Sequence, residues 1–247
     1  MDFLGEVLAW YGDPANWSGR DAIGLRIGEH VWLSVASLSV GLLLALPAGL
    51  YIGHTNRGAR AVVALSNVGR AVPSLGWLGI VYPITTLLFA RGGIGFLPAF
   101  VALVALAIPP IVTNTYAGLR EVDDDLREAG RGMGMSELQL LRGVEVPVAL
   151  PVILAGVRSS AVTVVATATL AALVGGGTLG HFIVQGLSLN DQVRVFAAAV
   201  LVAMLALGTE AGFALVQRRA LSPGLRGAGD RLPGAAGVDR RPEAGSA

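Results

Sequence analysis

The sequence predicts an all-α, polytopic membrane protein with about five spanning helices. Three observations carry that reading. Of 247 residues, 53% are hydrophobic and 14% charged, about half the charged share of an ordinary soluble domain. Mean hydropathy is +0.65, which leaves too little polar surface to enclose a water-soluble core and sets a soluble enzyme aside. Windows of about 20 apolar residues, enough to cross about 30 Å of hydrocarbon at about 1.5 Å per residue, recur five times along the chain. There is no Cys, so disulfides, thiolate metal sites and Cys nucleophiles are all absent. A net charge of +1 gives no reason to expect nucleic acid.

Residues 1–30 carry Trp10, Tyr11 and Trp17 without a basic, apolar and small-residue sequence of the secretory type. They read as an external, interfacial segment. The first span is Val31 to Gly53, closed by the polar turn His54-Thr55-Asn56-Arg57-Gly58. Ala61 to Ala90 reads as a helical lead-in followed by a span from about Val72. A tight turn at Arg91-Gly92-Gly93 leads into the third span, Ile94 to Thr113. The fourth, Val146 to Leu173, is interrupted by Arg158, and the fifth, Val195 to Val216, by Glu210. Arg158 is placed to snorkel or to pair with a carboxylate, and Glu210 to pair with Arg218 or Arg219. Gly175-Gly176-Gly177 reads as a gate-proximal bend or a helix stop. His30, His54 and His181 fall at span borders, where an interfacial position is expected rather than a metal site. Residues 31–217 thus form the transmembrane domain, and 218–247, rich in Gly, Pro, Ala and Arg, a disordered tail.

Basic residues near span ends stay on the cytoplasmic side. With the N-terminus outside, the inner segments hold thirteen Arg (57, 60, 70, 120, 127, 131, 142, 218, 219, 226, 231, 240, 241) and the outer segments four (20, 26, 91, 194). The chain is therefore expected N-out and C-in.

The longest polar stretch between spans, about 121–146, lies on the inner side of that arrangement. Asp123, Asp124 and Asp125 suit a helix N-terminus, and Gly130, Gly132 and Gly134 a sharp turn. Ser136 suits the cap of a second short helix that Pro147 stops. Glu128 to Pro147, EAGRGMGMSELQLLRGVEVP, resembles the cytoplasmic signature of permease subunits of ATP-binding-cassette importers. Glu128, Ala129, Gly134, Val144, Val146 and Pro147 fall in its register; Gly130, Val144 and Val146 depart from it conservatively. The stretches Ile27–Gly58, Val68–Ile84, Pro109–Leu126 and Pro151–Gly180 resemble, more narrowly, the permeases for glycine betaine, choline and carnitine.

That resemblance implies the type I importer permease fold and a cytoplasmic helix seated in a cleft of a separate ATPase. The coupling role falls on Glu128, Ala129, Gly132, Met133, Gly134 and Met135. The pathway is expected to be built from spans two to five, where small and hydroxyl residues allow close packing and hydrated surfaces, with Ser66, Asn67, Ser74, Thr163, Thr167 and Thr169 as candidates. No GxxxxGK[ST] loop is present, so ATP and Mg are expected on the partner, and the chain itself holds no cofactor. Two ATPase copies, an extracytoplasmic binding protein and a second permease subunit complete the implied complex. With 6% aromatic residues no cation–π cage is evident, which shifts solute selection to the binding protein. The same architecture with an amino-acid or other small solute, and a secondary transporter using Glu210, are the alternative readings. An intramembrane enzyme finds no GxSxG, HExxH or paired carboxylates in a span.

Overall fold

A computed structural model describes residues 2–89 and 95–220, and every regular element among them is helical. The expected tail therefore lies almost wholly outside the described residues, as does the turn at Arg91-Gly92-Gly93. The elements are α1 (Phe3–Gly12), α2 (Ile23–Thr55), α3 (Ala59–Ala71), α4 (Ser74–Phe89), α5 (Phe96–Arg120), α6 (Asp124–Gly132), α7 (Glu137–Leu140), α8 (Val146–Thr167), α9 (Gly180–Leu189) and α10 (Gln192–Ala220). Four stretches are long and apolar enough to cross a membrane, and α3 with α4 would make a fifth, broken span.

Several boundaries differ from expectation, each for a local reason. The first spanning helix begins at Ile23 rather than Val31, because Arg26 is neutralised by Asp21 and Glu29 and no longer marks the edge of the apolar run. The second span is bent by 99° between α3 and α4. Its cause is Pro73, which drives the preceding Val72 to extended angles (φ −72°, ψ 121°) and ends α3 there. Pro147 does not stop the second short helix. The backbone runs from α7 through a wider π-type turn, Leu141–Glu145, directly into α8, and Pro147 falls in the first turn of α8, where a missing N–H is tolerated. The glycine run ends a 3₁₀ segment, Ala168–Val174, with Gly175 left-handed (φ 79°), so it is a helix stop.

Within a bilayer, apolar side chains gain little by leaving lipid for protein, and helices associate by close packing of small residues. α2 and α5 show this most clearly. Gly41, Gly49 and Gly53 recur along one face of α2, and a Cβ at each would come within 2.7 Å of Ala107 Cβ, 2.7 Å of Thr115 Cβ and 2.8 Å of Leu119 Cβ. Ala45, wholly buried, fills the intervening place in a cluster with Ile111 and Val112. α5 meets α8 in the same way: a Cβ on Gly156 would sit 2.5 Å from Asn114 Cβ. The Ser160 hydroxyl, buried, donates across that contact to the Ala107 carbonyl at 3.0 Å. α5 is thus the central helix, clasped by α2 on one side and α8 on another. α10 is peripheral, with 6% of its spanning window buried. It is held to α8 by the Arg158–Glu210 ion pair, which explains both charges inside apolar runs, Arg158 taking the carboxylate partner expected for it. α1 lies against α10 through Phe3 on Phe196 and the Tyr11 hydroxyl donating to Ala197 O at 2.7 Å.

Candidate coupling site and the charge cluster beneath it

α6 and α7 form a helix–turn–helix between α5 and α8, most of its residues exposed. Asp123 caps α6, its carboxylate accepting from the Asp125 N–H at 2.9 Å, while Asp124 and Asp125 complement the dipole in the first turn. The turn depends on Gly134, whose φ of +81° favours glycine. Ser136 then opens α7 with a capping box: its hydroxyl accepts from Gln139 N, and the Gln139 side chain accepts from Ser136 N at 2.8 Å. Arg131 and Glu137 clamp the two helices at 3.0 Å.

Of the six residues expected to couple, Glu128, Ala129, Gly132, Met133 and Gly134 share this exposed tip. Met135 is half-buried instead, its thioether turned inward beside Gly130 and Gly143. Leu126, Met133 and Leu138 are 47%, 77% and 54% exposed. Three large apolar side chains on a segment outside the spans form a surface suited to being covered.

Beneath the tip lies a buried charge cluster that the sequence did not reveal. Glu145, 1% exposed, accepts from Arg127 Nε at 2.8 Å on one oxygen and faces His54 Nδ1 at 2.6 Å on the other. Arg127, also buried, spends its other donors on Leu119 O at 2.5 Å and Asp124 at 2.8 Å. His54 Nε2 lies 3.3 Å from Glu137. Glu145 and Arg127 so join the adjoining ends of α2, α5 and α8 to α6. The available signal was Glu145 itself, a lone acid between Val144 and Val146 at the start of an apolar run.

The pathway candidates do not converge on one place. Ser74 and Thr167 come together around a narrow gap between α4, α5 and α8. Ser66, buried on α3, lines a separate apolar groove of about 420 Å³ with Trp77, Ile108 and Pro109. Asn67 is exposed. Thr163 and Thr169 donate to backbone carbonyls one turn back, Ser159 O at 2.8 Å and Ala166 O at 3.2 Å. Thr163 also belongs to an exposed stripe on α8 with Ala155, Ser159 and Ala166.

At the opposite end of α2 a second polar cluster faces the glycine loop. Glu29 accepts from Arg26 at 2.8 Å and from Thr178 N at 3.0 Å. Arg26 also bonds Asp21 at 2.5 Å and holds its carboxyl below the usual range. His181 approaches Asp21 at 3.3 Å. His30 is not interfacial: it is wholly buried, its Nε2 2.8 Å from Val165 O, which accepts its proton and fixes α2 against α8. Trp10, Tyr11 and Phe182 pack edge to face at 5.3 and 5.5 Å.

Residues 41–222 match the family model described as the binding-protein-dependent transport system inner membrane component. The chain belongs to this family. Among similar proteins, the permease is 36% identical over 202 residues to the glycine betaine/carnitine/choline transport system permease protein OpuCB of Bacillus subtilis (strain 168), covering 82% of this chain and 90% of that one. It is 38% identical over 198 residues to the carnitine transport permease protein OpuCB of Listeria monocytogenes, covering 80% and 88%. Among solved structures it resembles an inward-facing crystal form of the MetNI methionine ABC transporter, with a TM-score of 0.74, 25% identity, and coverage of 85% of this chain and 99% of that one. The all-α permease architecture and the multi-pass inner-membrane location follow from these matches.

Proposed function

We propose that this permease is the membrane subunit of an ATP-driven importer for quaternary-amine osmoprotectants, glycine betaine, choline or carnitine. The observation that carries the coupling mechanism is the α6–α7 tip: an exposed Ala-Gly-Met surface on a capped helical hairpin, fastened by buried charge to three long helices. Glu128, Ala129, Gly132, Met133 and Gly134 face the ATPase in this reading, with Met135 stiffening the hairpin from within. Each of two ATPase copies binds ATP and Mg and engages one permease, the second permease being an identical or similar chain. A binding protein delivers solute at the opposite face. The chain is N-out and C-in, with residues 1–30 outside, 31–217 within and around the membrane, and 218–247 a cytoplasmic tail. Solute passes along the small and hydroxyl-bearing faces of α3, α4, α8 and the 3₁₀ segment that follows it, among them Ser66, Asn67, Ser74, Thr163, Thr167 and Thr169. It performs no bond chemistry of its own.

The cargo assignment is supported by the relatives, named as glycine betaine, carnitine and choline permeases, and by the quaternary-amine stretches of the sequence. Reconstituting the permease with its ATPase and binding protein in proteoliposomes tests it: ATP-dependent uptake of labelled glycine betaine, choline or carnitine is expected. No uptake of the three by an assembled complex would move the cargo to an amino acid or another small solute. Uptake by this chain alone, without ATP, would replace the mechanism with secondary transport. Glu210 is a poor ion site for that alternative, because Arg158 already neutralises it.

A further inference from the structure

We propose that Glu145 is the positioning residue that makes the coupling hairpin and the inner ends of α2, α5 and α8 move as one body. The inference rests on the assignment of residues 124–140 as the ATPase-facing segment and names what transmits its displacement.

α6 is nine residues long, too short to be a stable helix alone, and it joins α5 and α7 through brief turns at residues 121–123 and 133–136. Such a helix, pushed at its tip, would tilt at its joints and leave the spans where they are. Glu145 removes that freedom. It is 1% exposed and both its oxygens are engaged, one by Arg127 of α6 at 2.8 Å and the other by His54 of α2 at 2.6 Å. Its own backbone is the π-type turn that leads into α8. Arg127 adds α5 by donating to Leu119 O at 2.5 Å.

Buried charges suit this task better than apolar contacts. A greasy surface can slide with little change in energy, whereas withdrawing Arg127 from Glu145 strands a charge away from water. Such a contact holds one register until it breaks, which is what a transmitting element requires. The cluster also faces the clamp of the hairpin itself, since His54 Nε2 lies 3.3 Å from Glu137, the residue paired with Arg131. Displacement of either helix of the hairpin so reaches α2.

The absence of cysteine makes the test clean. Spin labels are placed on Arg57→Cys beyond α2 and Asp125→Cys on α6, both exposed, in the permease–ATPase complex in proteoliposomes. Distance distributions are read without nucleotide and with MgATP trapped by vanadate. The unaltered complex is expected to keep one narrow distribution in both states, and Glu145→Gln and His54→Gln to broaden and shift it on trapping. Glycine betaine imported per ATP hydrolysed should fall about tenfold in both variants, an ordinary size for a coupling effect, with the ATPase still bound. A distribution that changes on trapping in the unaltered complex, or one that stays narrow in both variants, would overturn the inference. If Glu145→Gln is not recovered folded, His54→Gln decides alone. An ATPase that fails to co-purify with the unaltered chain would bring down the coupling assignment, and this inference with it. A complex that assembles but imports none of the solutes would count against the cargo and leave the distance measurement in force.

Discussion

At the scale of single residues, Glu145 concentrates more structural consequence than its surroundings suggest. Truncating it leaves Arg127 buried without a counter-charge. Glu145→Ala is therefore expected to destabilise the permease by about 3–5 kcal/mol, read as a lowered midpoint of thermal unfolding in detergent. The joint replacement Arg127→Met with Glu145→Leu should cost less than Glu145→Leu alone, because no charge is then stranded. At the tip, substitutions test a surface rather than a fold. Gly134→Glu burdens a left-handed backbone position as well as the surface, so Met133→Glu is the cleaner change: 77% exposed, it should abolish ATPase co-purification with no loss of folded permease. Normal co-purification would remove the tip from the interface. The sequence disclosed this tip because signature spacing is local. It could not disclose the Glu145 cluster, whose partners His54 and Arg127 are 91 and 18 residues away and look alone like ordinary interfacial polar residues.

At the scale of elements, hydropathy located every long helix, because the demand that backbone polar groups be satisfied inside lipid leaves few other solutions. It misjudged the ends for reasons that only neighbours supply. Arg26 is neutralised in place, and Val72 is forced out of helical angles by the proline that follows. α9 went unseen because its ten residues are too short to register as a span. Arg158 and Glu210 each looked like a defect in a separate run, and their pairing needed the tertiary approach of α8 and α10. Since the N-terminal half of α10 is packed through Ala198 and Val202 against Ile23, Leu179 and Phe182 while its C-terminal half is largely exposed, Arg158→Ala and Glu210→Ala should each loosen that C-terminal half and raise its hydrogen exchange. The double variant should be no worse than the more severe single one. Additive losses would mean that the two charges act apart.

At the scale of the whole molecule, the proposed N-out and C-in arrangement places two charge clusters at opposite ends of α2, Asp21–Arg26–Glu29 outside and His54–Glu145–Arg127 inside. In intact cells, a membrane-impermeant maleimide is expected to label Asp13→Cys from outside and to reach Met133→Cys only after permeabilisation. The reverse pattern would invert the topology and take the ATPase assignment with it. The seam between α2 and α5 bears on how such a protein could be made more robust for study. Gly41, Gly49 and Gly53 have no room for a methyl group, yet a Cβ on Gly28, Gly208 or Gly212 would meet nothing within 4 Å. Thermostabilisation by Gly→Ala exchange, worth about 0.5–1 kcal/mol per helical site through backbone entropy, therefore has usable positions on the outward faces of α2 and α10. On the inner face of α2 the same exchange would pry the central helix pair apart.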